Sequence, residues 1–173
     1  MRRRILILCL ALLCSVSLAD AQGWRTAKPR WVGNVPRTEY STFYFVEVSS
    51  DMATSLDGAR TSALKQLSAN VERTDNISVK EIYVDKSQQI YSSSAGVRGE
   101  GTDSYTFELR SDGISEPIHS RRIDEYWVSS QREGVNVLDY RAVYAVERKG
   151  QQADFSAIGV TNRYGVSGLW RSA

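Results

Sequence analysis

Two periods of hydrophobic and polar positions follow one another along the chain, and each predicts a different kind of element. Residues 42–49 are aromatic and β-branched, which is typical of a strand. Apolar side chains fall on both sides of this strand, with Tyr44, Val46 and Val48 on one side and Phe43 and Phe45 on the other. Because a strand that is apolar on both sides is buried on both, we expect this segment to lie inside the protein.

A helical period begins at Ser55 and continues to about residue 73. Apolar side chains recur every three or four positions and form one stripe, made of Leu56, Ala59, Ala63, Leu64, Leu67 and Val71. Ser55 is suited to cap the first turn, and Asp57 complements the positive end of the helix dipole. The alanines in the stripe allow a short distance between backbones, so we expect this helix to pack closely on a sheet.

The segment after the helix, residues 77–91, predicts one long strand that contains a bulge. Its apolar alternation changes side between Val79 and Ile82. One extra residue near Lys80 or Glu81 explains that change, because a bulge shifts the alternation by one position.

Three further strands are predicted. Residues 104–110 alternate, and a flexible loop at residues 92–103 joins them to the long strand as a hairpin. Their inward side chains are Tyr105, Phe107 and Leu109. Residues 118–130 and 138–148 are also extended, with a polar turn at residues 131–134 between them. In the last strand, one side carries Tyr140, Ala142, Tyr144 and Val146, and the other carries Val143 and Ala145.

The order of these elements predicts an α+β fold, with an antiparallel sheet of about four to five strands and one long amphipathic helix packed on one face. We assign a single domain to residues 39–149. An extended lead-in at residues 22–38 carries Trp24 and Trp31, which are suited to pack onto the domain. A tail at residues 150–173 either docks on a partner or frays, and we favour fraying.

Residues 1–21 have the features of a secretory signal peptide. An arginine triplet at residues 2–4 precedes a short apolar stretch, and Ala19 and Ala21 match the small residues before a cleavage site. The apolar stretch is too short to span a bilayer, which needs roughly 20 residues. We expect cleavage near Ala21 and a location in the periplasm or cell envelope.

Cys9 and Cys14 are the chain's only cysteines. A lipid-anchoring cysteine normally follows a small residue, whereas Cys9 follows Leu8 and Cys14 follows Leu13. We therefore favour soluble export over a lipid anchor. Both cysteines leave with the signal peptide, so the exported part can form neither a disulfide nor a thiolate metal site.

Charge and composition exclude further classes of protein. The chain has 173 residues, of which 42% are hydrophobic and 24% charged, as in an ordinary globular protein. Without residues 1–21, its basic and acidic residues are equal in number. The basic footprint of a nucleic-acid-binding protein is therefore missing. We expect no nucleic-acid partner, and membrane association only through another protein.

Candidate chemistry is sparse. His119 is the only histidine, which excludes a zinc site with several histidine ligands. Gly96, Gly99 and Gly101 stand in an order that does not match a dinucleotide-binding motif. We expect no catalytic residue, cofactor or metal ligand. The remaining candidates for catalysis are acidic residues on or near the predicted strands: Glu108, Glu116, Asp124, Glu125 and Asp139. A carboxylate-based hydrolase would need two of these facing each other across a cleft.

Five short motifs carry a family resemblance. They are W-V-G-N-V-P-R at 31–37, Y-F-V-E-V-S-S at 44–50, A-R-T-S-A-L-K-Q-L from Ala59, I-D-E-Y-W at 123–127 and Y-R-A-V-Y-A-V-E-R at 140–148. In this order they resemble the bacterial twenty-kilodalton membrane-associated lipoprotein family and the N-terminal domain of the flagellar assembly protein FlgT. The resemblance implies an α+β envelope domain that acts through protein contacts. The chain departs from the lipoprotein members in lacking their lipidation motif.

These observations favour an exported, non-enzymatic envelope protein that acts as a protein-interaction or assembly module, through a sheet edge, exposed aromatic residues or the tail. The alternative is a periplasmic small-ligand-binding protein, with a pocket between helix and sheet lined by Tyr44, Tyr105 and Trp127. A carboxylate-based hydrolase is the third hypothesis. The candidate contact residues for a partner or ligand are Tyr44, Tyr105, Trp127 and Trp170.

Overall fold

The computed structural model describes residues 28–35, 42–84, 88–94, 96–97, 105–155 and 158. The predicted signal peptide lies outside the described residues, as do Trp24, Trp170 and most of the predicted tail. Within the described part, no helix combines the length and the apolar character needed to cross a bilayer.

One antiparallel sheet and one helix make up the fold, which confirms the predicted α+β class. The strands are β1 (Phe43–Ala53), β2 (Val79–Val84), β3 (Gln88–Ser92), β4 (Gly96–Val97), β5 (Thr106–Ser111), β6 (Ile118–Arg132) and β7 (Val135–Glu147). They are arranged in the order β1-β7-β6-β5-β2-β3-β4, and helix α1 (Leu56–Asp75) connects β1 to β2. The prediction of four to five strands was therefore too low, even if the two-residue β4 is set aside.

The extra strand comes from residues 77–91, where the prediction of one long strand is wrong. The chain reverses after Val84, and β2 pairs with β3 so that Val84 lies opposite Gln88. Alternation of side chains continues through a reversal, and no glycine or proline marks this one in the sequence. The bulge prediction is confirmed, because the register of β2 against β5 shifts between Val79 and Glu81.

Helix α1 is capped at both ends by residues suited to that position. Ser55 is extended and its side chain accepts a hydrogen bond from the Gly58 amide at 3.1 Å, which confirms the predicted cap. At the other end, Asn76 adopts a left-handed conformation with φ 51°. The predicted stripe is buried against the sheet, where its core residues are Ala59, Ala63, Leu64, Leu67 and Val71. We call this side of the sheet the inner face.

The opposite side of the sheet, the outer face, is covered by two segments that flank the sheet in sequence. Trp31 in residues 28–35 is 2% exposed, and Phe155 and Ile158 pack beside it against β1, β6 and β7. The described start of the tail is therefore packed, contrary to the fraying that we favoured. Phe43 and Phe45 face this cluster, so the prediction that β1 is buried on both sides is confirmed.

Strands β6 and β7 form a long ribbon of paired residues. Its two-residue turn consists of Glu133 and Gly134, with φ values of 51° and 79°. Two successive positive φ values are the geometry of a type I′ turn, whose twist matches that of the strands. The end of the ribbon, residues 128–136, is exposed.

Candidate functional site

A cavity of about 390 Å³ lies between the sheet and the segment that follows β7. The strands contribute Thr106, Phe107, Glu108, His119, Ser120 and Glu147, and the C-terminal segment (residues 150–155 and 158) contributes Gln152, Ala153 and Phe155. Cavities of 300 to 1,000 Å³ with a few convergent polar groups are the usual size of small-molecule sites. We therefore take this cavity, the carboxylate cavity, as the candidate functional site.

Glu147 holds two parts of the cavity wall. Its Oε2 accepts a hydrogen bond from the His119 backbone amide at 3.0 Å and lies 2.8 Å from Nδ1 of the His119 ring. Its Oε1 accepts from the Ala153 amide at 2.6 Å. An ionised carboxylate only accepts, so we assign a proton to Nδ1.

Glu108 approaches the same histidine ring from the neighbouring strand. It lies directly opposite His119 in the β5–β6 pair, and its Oε1 is 3.8 Å from His119 Nε2. Glu108 is 4% exposed, and its other oxygen, Oε2, accepts a hydrogen bond from the Arg110 guanidinium at 3.4 Å. Adjacent strands thus bring two carboxylates and one imidazole to a single wall.

Charge around the acidic groups distinguishes this cavity from a second one of about 310 Å³ beside residues 28–35. There, Asp139 accepts from Arg141 at 3.2 Å and Glu47 accepts from the Gly33 amide through both oxygens. Arg141 itself lines that second cavity, so its wall carries both signs of charge. Among the described residues, the lining of the carboxylate cavity includes no lysine or arginine.

The predicted contact residues lie elsewhere and apart from one another. Tyr44 donates to Asp75 at 2.7 Å, and burial together with this hydrogen bond raises the pKa of its hydroxyl. Tyr105 is 51% exposed. Trp127 packs at the margin of the inner core, and its partner on β7 is six residues from the partner of Tyr44, about 20 Å along the strand. These side chains do not line the carboxylate cavity.

The predicted acidic candidates are mostly dispersed. Asp124 accepts from the Trp31 indole at 2.7 Å, Asp139 pairs with Arg141, and Glu116 is exposed. Only Glu108 of that set lines the carboxylate cavity.

Glu125 belongs to a separate network on the inner face. Arg60 donates to both of its oxygens at 3.1 and 2.6 Å, and Tyr140 donates at 2.8 Å. Burial acts to raise the pKa of the Glu125 carboxyl, but Arg60 and Arg122 outweigh burial and lower it. In the same network, burial raises the pKa of Tyr144 to about 12. Glu125 therefore fastens α1 to the sheet.

Sequence reasoning missed Glu147 and assigned no role to His119. One signal was present for Glu147. It continues the side of β7 that carries Val143 and Ala145, so a charged residue stands where the alternation calls for an apolar one. Its pairing with His119, 28 residues away, was not readable from that pattern.

Comparisons with protein-family models, curated proteins and solved structures find no match. The family resemblance stated above therefore stays a prediction. Among the described residues, no group of three or more His, Cys, Asp or Glu side chains is arranged to hold a metal ion.

Proposed function

We propose that the protein is an exported, non-catalytic binding protein of the bacterial envelope whose site is the carboxylate cavity. The observation that carries this proposal is a cavity of about 390 Å³ on whose wall buried Glu108 and the His119 ring converge. Export rests on the signal-like residues 1–21. The proposal keeps the small-ligand hypothesis but moves its site from the inner to the outer face.

Binding accounts for the geometry better than catalysis. Both oxygens of Glu147 already accept hydrogen bonds from protein groups, so this carboxylate is committed to holding the wall. The contacts that the structure gives for the His119 ring are with the carboxylates of Glu108 and Glu147. A general base needs a reacting hydroxyl, thiol or water within hydrogen-bond reach.

A fragment screen by two-dimensional NMR tests the proposal. We expect fragments that bind to shift the amide resonances of His119 and Ala153 and to leave Val135 at the ribbon end unchanged. Ala153→Leu narrows the cavity and should weaken binding, whereas Ser129→Leu adds the same side chain on the exposed ribbon and should not. If no fragment shifts the cavity resonances, the proposal is wrong.

A second candidate function, the protein-interaction or assembly module, is favoured by the ribbon end. Of the described residues, four large hydrophobic side chains are exposed, and three of these, Met52, Val128 and Val135, lie on the ribbon or next to it. A photo-crosslinker at residue 131 should give a discrete adduct in the envelope that Val135→Ser removes. A crosslinker at Glu116, exposed elsewhere, is the control, and the same adduct from both sites would contradict this candidate.

A further inference from the structure

We infer that two copies of this protein pair through the free edge of β6, so that residues 125–131 of each copy form an antiparallel strand pair across a twofold axis at Val128. This inference goes beyond the proposed function, since it concerns the backbone edge of β6 and neither the carboxylate cavity nor the exposed side chains of the ribbon end. It follows from the pairing of β6, from the uncharged sequence of its edge and from the match of that sequence to a second copy.

Strand β6 is longer than the partner on one of its sides. β7 pairs with β6 as far as Arg132, but β5 pairs with β6 only over Ile118–Arg121. Among the described residues, no strand pairs with residues 125–132 on the β5 side. Val128, in the middle of this stretch, is 44% exposed. The backbone groups on the β5 side can therefore accept another strand.

The turn of the ribbon shows which backbone groups face that side. In a two-residue hairpin the flanking residues, here Arg132 and Val135, are hydrogen-bonded to each other. Hydrogen-bonded and non-hydrogen-bonded positions then alternate along an antiparallel pair. Trp127, Ser129 and Gln131 therefore direct their N–H and C=O groups away from β7.

The free edge of β6 lacks the protection that edge strands usually carry. Its sequence at 126–131 is Y-W-V-S-S-Q, without a charge or a proline, whereas natural edges are blunted by charged residues, proline or a covering segment. At one end of the sheet, β1 has such protection: the Ser49 amide donates to the Gln66 side chain at 2.9 Å, and Glu47 holds residues 28–35. At the other end, β4 is only two residues long. Of these three edges, that of β6 is the one suited to pair with another chain.

A second copy matches this edge in the register centred on Val128. Trp127 then lies opposite the second copy's Ser129, and both direct their backbone groups into the contact. Glu125 lies opposite the second copy's Gln131, so no like charges face each other. The two Val128 side chains meet at a non-hydrogen-bonded position, where side chains are closest. Because both copies use the same surface, the contact closes as a dimer.

The neighbouring registers fit less well. An axis at Ser129 places Glu125 opposite the second copy's Glu133, and like charges directly opposite each other destabilise a strand pair. An axis at Trp127 carries the pairing into the irregular part of β6 that precedes residue 124. The register centred on Val128 is therefore the expected one.

Sedimentation equilibrium at increasing protein concentration tests for the dimer. One short strand pair is at the weak end of protein interfaces, so we expect the average mass to rise toward twice that of the monomer with a Kd of about 10 to 100 μM. Val128→Lys places two like charges at the axis and should weaken association at least about tenfold. Val135→Lys makes the same change at an exposed valine on β7, away from the free edge, and should leave association unchanged. A protein that is still monomeric at about 1 mM, or equal effects of the two variants, would overturn the inference.

Disulfide trapping tests the register, in a chain that carries Cys9→Ser and Cys14→Ser. In the expected register the Val128 α-carbons are about 4.5 Å apart, so Val128→Cys should oxidise to a linked dimer. Ser130→Cys is the control, because its α-carbon lies about 14 Å from its counterpart, which is too far for a disulfide. Linkage of Ser130→Cys as fast as that of Val128→Cys would overturn the inference.

A proline variant decides the question should Val128→Lys not fold. Ser129→Pro removes an N–H that faces away from β7, so it should leave the ribbon intact and weaken the dimer at least about tenfold. Unchanged association would contradict pairing at this edge. None of these substitutions touches the lining of the carboxylate cavity, so a monomeric protein would overturn the inference alone, and the fragment screen would still test the proposed function.

Discussion

Glu125 and Glu147 occupy corresponding roles on opposite faces of one sheet, but their charges are balanced differently. Glu125 accepts from Arg60 and faces Arg122, so two guanidinium groups compensate one buried carboxylate. Glu147 accepts from two backbone amides and faces the His119 ring, with Glu108 on the far side of that ring. The inner network closes on itself, whereas the outer one lines a cavity. Under the proposed function, a buried acid therefore serves stability on one face and recognition on the other.

The two faces of the sheet are also covered by different kinds of structure. A continuous helix with residues at 0% exposure covers the inner face. The outer face is covered by short segments without regular strands or helices, each attached through a carboxylate of the sheet. Segments held by few contacts open locally at lower free energy than a core helix. We therefore expect the inner face to determine global stability and the outer face to determine local opening.

The largest expected effect is on the inner core. Leu67→Ala should lower the free energy of unfolding by about 3 kcal/mol, because Leu67 is fully buried between helix and sheet. Lys65→Ala on the exposed side of α1 is the control. Phe155→Ala on the outer face should lower the free energy of unfolding by only about 1 kcal/mol, since Phe155 is half-buried in a segment that can detach. Equal losses in urea denaturation would contradict the difference between the faces.

The second largest effect on stability is expected when the charge of Glu125 on the inner face is removed. Glu125→Gln should lower the free energy of unfolding by about 2 to 3 kcal/mol at neutral pH, because Arg122 is left buried without its compensating charge. Glu81→Gln at the outer face should change it by less than about 0.5 kcal/mol. A double variant with Arg60→Met measures the coupling, and additive losses would show that the pair does not interact.

The inner network should also determine how stability depends on pH. The pKa of Glu125 is lowered on folding, so its contribution is present above its ordinary value of 4.5 and is lost as pH falls through that range toward the folded pKa. We expect the free energy of unfolding to fall below about pH 4.5. The fall should be smaller in Glu125→Gln. Identical dependence of stability on pH in the variant and the unaltered protein would show that Glu125 is not responsible for it.

A smaller and local effect is expected at the two attachments of the outer face. Glu147→Gln should speed amide hydrogen exchange at Ala153 and leave Gly33 protected, at a cost of about 1 to 2 kcal/mol in local opening. Glu47→Gln should do the reverse, because Glu47 accepts from the Gly33 amide. Each variant is the control for the other. Faster exchange at both sites in either variant would mean that the segments open together.

The smallest effect is expected from single hydroxyl groups. Tyr44→Phe should lower the free energy of unfolding by about 1 kcal/mol, because burial and the bond to Asp75 raise the pKa of this hydroxyl and fix it in place. Tyr83→Phe removes a similar bond, to Glu81, on the open part of the outer face and should change it by less than about 0.5 kcal/mol. A larger loss at Tyr83 would reverse the ranking of the faces.

The sequence by itself determined the elements whose pattern is local. The Ser55 cap, the stripe from Ala59 to Val71, the two-sided burial of β1 and the irregularity beside Lys80 were all predicted, because each depends on residues a few positions apart. Tertiary structure decided the reversal after Val84, the covering of the outer face and the carboxylate cavity. Glu108, His119 and Glu147 meet only because β5, β6 and β7 are neighbours in one sheet, and strand order is set by the packing of the whole chain rather than by its local period.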